Sequence, residues 1–157
     1  MSTRSCSRTL WLGALLLAVA AGCSPIRESV AIHSARTAVT RFNEAAVEAY
    51  HSGRTDGLAR VATSSGSAWV QAVIDGLAAR GQFMVARPLE LRVESARLVK
   101  PDLVEVETVE TWSYEHRSRA RPDEPAPART VTYTMAYQVQ RREAGWLVSV
   151  AVERPPR

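Results

Sequence analysis

Along residues 130–140 (TVTYTMAYQVQ), Val131, Tyr133, Met135, Tyr137 and Val139 alternate with Thr132, Thr134, Ala136 and Gln138. A period of two marks a strand with one face buried and the other wet. A turn over 142–145 follows, and Trp146, Val148, Val150 and Val152 carry the alternation into a further strand. Upstream, 103–116 places Val104, Val106, Thr108, Glu110, Trp112, Tyr114 and His116 on one face. Residues 88–99 alternate through Leu89, Leu91 and Val93, then lose the pattern near Ser95 and Ala96, as at a bulge. Lys100-Pro101-Asp102 reads as a turn, and the proline-rich, polar 117–129 as a mobile connection.

Before residue 88 the period is helical. Ala31, Ala35, Ala38, Phe42, Ala45 and Ala49 recur at three- and four-residue steps, predicting a helix over 26–50 that stops before Gly53. A short second helix is expected over 55–62, around Leu58 and Val61. Ser67 is the expected N-cap of a third helix over 68–80, with Trp69, Val73 and Leu77 in line and Gly81 as its stop. Short connections between antiparallel neighbours favour a meander. A symmetric long loop would set Trp112 opposite Tyr133 and Val106 opposite Val139. The expected fold is α+β, with three N-terminal helices packed on a curved four-stranded antiparallel sheet.

The first residues read as an address. Arg4 and Arg8 precede an apolar run over 10–21 (LWLGALLLAVAA), shorter than the roughly 20 residues a spanning helix needs, and small residues follow. Val19-Ala20-Ala21-Gly22-Cys23-Ser24 resembles the lipobox of bacterial lipoproteins, with Ala20 where leucine is usual. That resemblance implies a signal peptide over 1–22, removed as Cys23 is lipidated. A tether over 23–29, a domain over 30–153 and a tail over 154–157 would follow. Acyl chains on Cys23 would hold the domain on a membrane, since each buried CH₂ contributes about 0.8 kcal/mol. Ser24, rather than aspartate, implies the outer membrane facing the periplasm in a Gram-negative cell. In a Gram-positive cell the domain would sit on the outer face of the single membrane.

Composition narrows the remainder. A chain of 157 residues holds one domain beyond its targeting segment. Twenty basic and 16 acidic residues give a net charge of +4, two of those charges in the signal segment. Lys100 is the only lysine, and no dense basic run points to nucleic acid. Cys6 and Cys23 are the only cysteines, so cleavage and lipidation would leave no thiol for a disulfide, a metal or a nucleophile. His33, His51 and His116 show no ligand spacing, so neither a metal nor another cofactor is expected. Ser64-Ser65-Gly66-Ser67 reads as a helix-capping loop, since it lacks the lysine and spacing of a phosphate-binding loop.

The order of elements resembles the cone-shaped, cystatin-like folds of the nuclear-transport-factor-2-like superfamily. More narrowly, 37–153 is similar to the intermembrane-space (IMS) domain of chloroplast and cyanobacterial division proteins. Trp69, Tyr133-Thr134-Met135-Ala136-Tyr137 and Gly145-Trp146-Leu147-Val148 carry this likeness. It implies a membrane-associated module that docks a partner protein without performing chemistry. Those proteins hold the domain at the end of a large chain with a transmembrane helix, so a division role is not carried over.

Glu110 is the sole acid on the apolar face of its strand. Among aromatics it could serve as a general base, as in enzymes of that superfamily. The plainer alternatives are a strand twisting out of the core, or an ion pair with Arg92 where Leu91 lies opposite. Trp69, Glu110, Trp112, Tyr114, Tyr133, Tyr137 and Trp146 line either a pocket or, as large residues at strand spacing more often do, the core. Arg117, Arg119, Arg121 and Arg129 keep their loop solvated, beside Asp123 and Glu124. The expected function is a non-catalytic, membrane-anchored envelope module that binds another protein or itself. The alternatives are a small-ligand carrier and an isomerase or hydratase using Glu110.

Overall fold

The computed structural model describes residues 24–155. The signal segment and Cys23 lie outside the described residues. Helix α1, Ser24–Ser52, is longer at both ends than the alanine periodicity predicts. It ends at Gly53, whose amide donates to the Ala49 carbonyl at 2.8 Å with φ +74°, a conformation that glycine alone adopts freely. Residues 25–29, expected as a tether, are helical and exposed. The expected second helix is a single 3₁₀ turn, Leu58–Arg60, because Thr55, Asp56 and Gly57 bend the chain and, within that turn, only Leu58 is buried. Helix α2, Ser64–Ala78, starts earlier than expected, since Thr63 and not Ser67 is the N-cap: its hydroxyl accepts from the Gly66 amide at 3.2 Å. The described residues therefore hold two α-helices, where the sequence suggested three.

Four antiparallel strands make one open meander sheet in the order β1-β2-β3-β4. They are β1 Gln82–Lys100, β2 Leu103–Ser118, β3 Arg129–Arg142 and β4 Gly145–Arg154. The buried part of β1 is Phe83, Met84 and Ala86, upstream of the alternation read from the sequence. Leu89 falls at a register irregularity between Pro88 and Glu90 and is 59% exposed. A second irregularity, between Val93 and Ser95, sits beside the expected bulge. The long-loop register differs by two residues from the symmetric expectation: Trp112 pairs with Val131, Glu110 with Tyr133 and Val106 with Tyr137. A slip of two leaves every side chain on its own face, so alternation alone does not discriminate between the two registers.

One face of the sheet is covered. Helix α1 packs mainly along β1, and α2 lies on β4. Ala35, Val39 and Phe42 of α1 meet Val104, Val106, Val139 and Val148 of the sheet in a core from which water is excluded. Burying a side chain such as Phe42 contributes about 1.5–3 kcal/mol. The buried stripe of α2 is Gly66, Val70, Ile74 and Leu77, so Trp69 and Val73 flank the core. Gly66 lies directly on β4: a Cβ there would stand 2.1 Å from the Val148 carbonyl oxygen. Beside it, the Thr63 amide donates to that same oxygen at 2.9 Å and the Val148 amide to Val61 at 3.0 Å. No helix among the described residues is long and apolar enough to cross a membrane.

Candidate functional site

The period of β2 carries Thr108, Glu110 and Trp112 inward, and all three are buried. Glu110 is 2% exposed and receives four hydrogen bonds. Its Oε1 accepts from Thr108 Oγ1 and from the Tyr137 hydroxyl, both at 2.7 Å. Its Oε2 accepts from Trp112 Nε1 at 2.9 Å and from Asn43 Nδ2 at 3.2 Å. A carboxylate has about four acceptor positions, and here a protein donor occupies each. Arg92, the cation expected as an alternative partner, pairs instead with Glu94 at 3.1 Å. Glu110 thus takes part in none of the ion pairs among the described residues.

Burial, then the nearby Glu110 charge, pushes the Tyr137 hydroxyl far above its usual range, which keeps it a donor. Tyr50 moves the same way, chiefly through burial and then through Tyr114, Tyr133 and Glu110. Tyr114 is raised by burial, by Tyr133, and by the charges of Glu110 and Glu153.

Above this network the aromatics surround a cavity of about 280 Å³ between α1, α2 and the inner face of β2, β3 and the end of β4. Six of the seven residues singled out in the sequence line it: Trp69, Glu110, Trp112, Tyr114, Tyr133 and Tyr137. Trp112 and Tyr114 lie parallel, 6.1 Å between ring centroids and 7° between planes, and Tyr133 meets Tyr114 edge-on at 6.3 Å. Phe42 joins Tyr137 to Trp69 in a second chain of rings that ends on Tyr50. Trp146 does not join the cavity. It sits at the β3–β4 turn, opposite Arg141, half-buried against the core.

Sequence reasoning missed Asn43 and Tyr50. Both lie on α1 with Ala46 at three- and four-residue spacing, a stripe one residue round from Phe42. A lone asparagine inside an alanine-rich stripe was the available signal. The cavity adjoins a wider trough of about 630 Å³, which shares Tyr50, Trp69, Val73, Tyr114 and Tyr133 and is also lined by His116 and Arg129. Among the described residues no cluster of His, Cys, Asp or Glu is placed to hold a metal.

Among the described residues, no helix covers the other face of the sheet. There Thr111 and Thr132 share a hydroxyl hydrogen bond at 3.1 Å, and Val152 is 48% exposed. Arg97–Glu105 at 2.8 Å and Arg154–Glu107 at 3.3 Å neutralise charge beside a shallow depression that includes Ala136, Val150 and Val152.

This arrangement, a helix-backed open meander sheet, recurs in solved structures. The intermembrane space region of the chloroplast protein ARC6 is similar with a TM-score of 0.68 and 19% identity, over 80% of this chain and 97% of that one. The resemblance to the IMS domain read from the sequence is therefore present in three dimensions. Kfla4162 from Kribbella flavida is similar at TM-score 0.51 and 12% identity, over 77% of this chain and 90% of its own. A conserved protein from Planctomyces limnophilus DSM 3776 gives 0.50 and 14%, over 77% and 95%. At such identities the likeness is one of fold. No protein-family model matches the chain, and no curated protein matches it.

Proposed function

We propose that this chain is a membrane-anchored cell-envelope lipoprotein whose α+β domain, of the cystatin-like cone type, is a non-catalytic protein-interaction module. The observation that carries the reading is the face of the sheet that no helix among the described residues covers. It is broad and threonine-rich, with Val109, Val150 and Val152 only partly covered. The fold it shares with the intermembrane space region of ARC6 supports the same reading and an envelope location. A photo-crosslinking residue at Thr132 or Val152 tests it, with Ala72 on exposed α2 as the comparison site. The reading requires that one envelope protein or a second copy is captured from 132 and 152, and that Thr111→Arg abolishes the capture. Equal capture from position 72 would overturn it. Anchoring is tested separately: Cys23→Ala should release the protein from membranes, and a wild type that is already soluble would remove the lipid anchor.

A second reading, a small-ligand carrier, is favoured by the aromatic cavity itself. The isomerase or hydratase reading is the least supported. As a general base, Glu110 would need an oxygen freed from two of its present donors.

A further inference from the structure

The cavity that gives the ligand-carrier reading its support has an unusual balance of charge and hydrogen bonding. Its lining includes two carboxylates, Glu110 and Glu153, and no basic side chain. Neither joins an ion pair among the described residues. Glu110 is buried, and its four donors are neutral side chains. Neutral donors stabilise a carboxylate without cancelling its charge, so the field of Glu110 still reaches the cavity. The remaining lining is mainly aromatic: Trp69, Trp112, Tyr114 and Tyr133 enclose the space with Tyr50. Aromatic faces attract cations, most strongly when water is displaced.

From this we propose that the cavity binds a quaternary ammonium group. The choice among cations follows from the saturation of Glu110. An ammonium or guanidinium entering beside it would surrender water and find no free acceptor on either oxygen, a cost of the kind paid by any buried unsatisfied donor; the free carboxylate acceptors of the lining lie instead on Glu153, which is exposed. A quaternary ammonium has no N–H to satisfy. Its methyl groups gain from apolar contact with the rings, and its charge gains from the carboxylate and the ring faces. The adjoining trough adds a preference. Its lining includes Arg129, which is exposed, so a ligand with an anion beyond its ammonium group, such as phosphocholine or a betaine, meets positive charge there. The inference rests on the ligand-carrier reading, and is independent of partner docking on the opposite face of the sheet.

The test uses the full-length protein in detergent and follows quenching of tryptophan fluorescence, since Trp69 and Trp112 line the site. The probes are choline, phosphocholine, methylammonium and the neutral isostere 3,3-dimethylbutan-1-ol, with vesicles of phosphatidylcholine or phosphatidylglycerol as separate arms. Saturable binding of choline or phosphocholine, about tenfold tighter than that of the isostere and of methylammonium, is the expected result. Tyr133→Leu and Glu153→Gln, each confirmed as folded by circular dichroism, should each weaken it severalfold. Binding to phosphatidylcholine but not phosphatidylglycerol vesicles, lost in Tyr133→Leu, would support the same chemistry with a lipid head group as its source. Equal binding of the isostere or of methylammonium would overturn the quaternary-ammonium assignment and leave the carrier reading standing. Absence of binding by every probe would overturn both.

Discussion

The inner face of the sheet has two ends built on opposite terms. At one, Val104, Val106, Val139 and Val148 meet Leu58 and Ala62, with Gly66 laid on the backbone of β4, and nothing polar from a side chain intrudes. At the other, Thr108, Glu110 and Trp112 meet Asn43 and Tyr137 in a saturated polar network beneath an aromatic cavity. One strand, β2, contributes to both with the same alternation. The comparison teaches that one alternation can build both a close-packed core and a polar-floored cavity, by composition alone. The dry end supplies apolar packing, and the polar end accepts a buried carboxylate beneath a shaped, aromatic-lined cavity.

The largest expected effect breaks the polar end. Glu110→Leu removes the acceptor of Trp112 Nε1 and Asn43 Nδ2, and should cost about 4 kcal/mol in urea denaturation, from buried donors left unpaired at about 1–3 kcal/mol each. Adding Asn43→Leu should recover part of the loss, because replacing both partners is far cheaper than removing one. At the dry end, Gly66→Ala should cost about 2–3 kcal/mol, since a backbone oxygen has nowhere to move. If Glu110→Leu proves harmless while Gly66→Ala unfolds the protein, the polar end contributes nothing to the fold.

Alkaline titration sharpens the contrast next. Tyr137 and Tyr50 have their folded pKa raised, by burial first, so the unfolded chain releases those protons at lower pH than the folded one. Their stabilising effect is complete below the ordinary tyrosine value of about 10 and is lost as pH rises toward the folded value. Stability should fall by up to about 1.4 kcal/mol per pH unit for each tyrosine above that point. Tyr137→Phe should shallow the slope, and an unchanged slope would place the sensitivity elsewhere. The smallest effect comes from a glycine beside the dry end whose Cα faces open space. Gly57 has φ −64° and open space around its Cα, so Gly57→Ala should leave stability unchanged or raise it by about 0.4–1 kcal/mol.

Much of the fold was legible because β2 and β3 declare their inward faces without interruption. The long alanine stripe of α1 was equally plain. The register of the long hairpin was not, since a period of two is blind to a two-residue slip. The 3₁₀ turn at Leu58 passed for a helix because two apolar residues three apart fit either geometry. At the site, Glu110 and its aromatic neighbours stood out on their own strand. Asn43 and Tyr50 did not, because what makes them matter is a meeting across 67 residues of chain in the Asn43–Glu110 bond, invisible to local pattern.

That long reach has a kinetic corollary. The bonds on Glu110 join α1 to β2 and β2 to β3, and the Tyr137 hydroxyl also lies 3.3 Å from Asn43 Oδ1, 94 residues away. No single hairpin or helix can complete the set, and a half-assembled intermediate would hold a carboxylate against oil with too few partners. Such intermediates are penalised, and the chain is steered toward all-or-none assembly: the acid at the centre acts as a proofreader of its own folding.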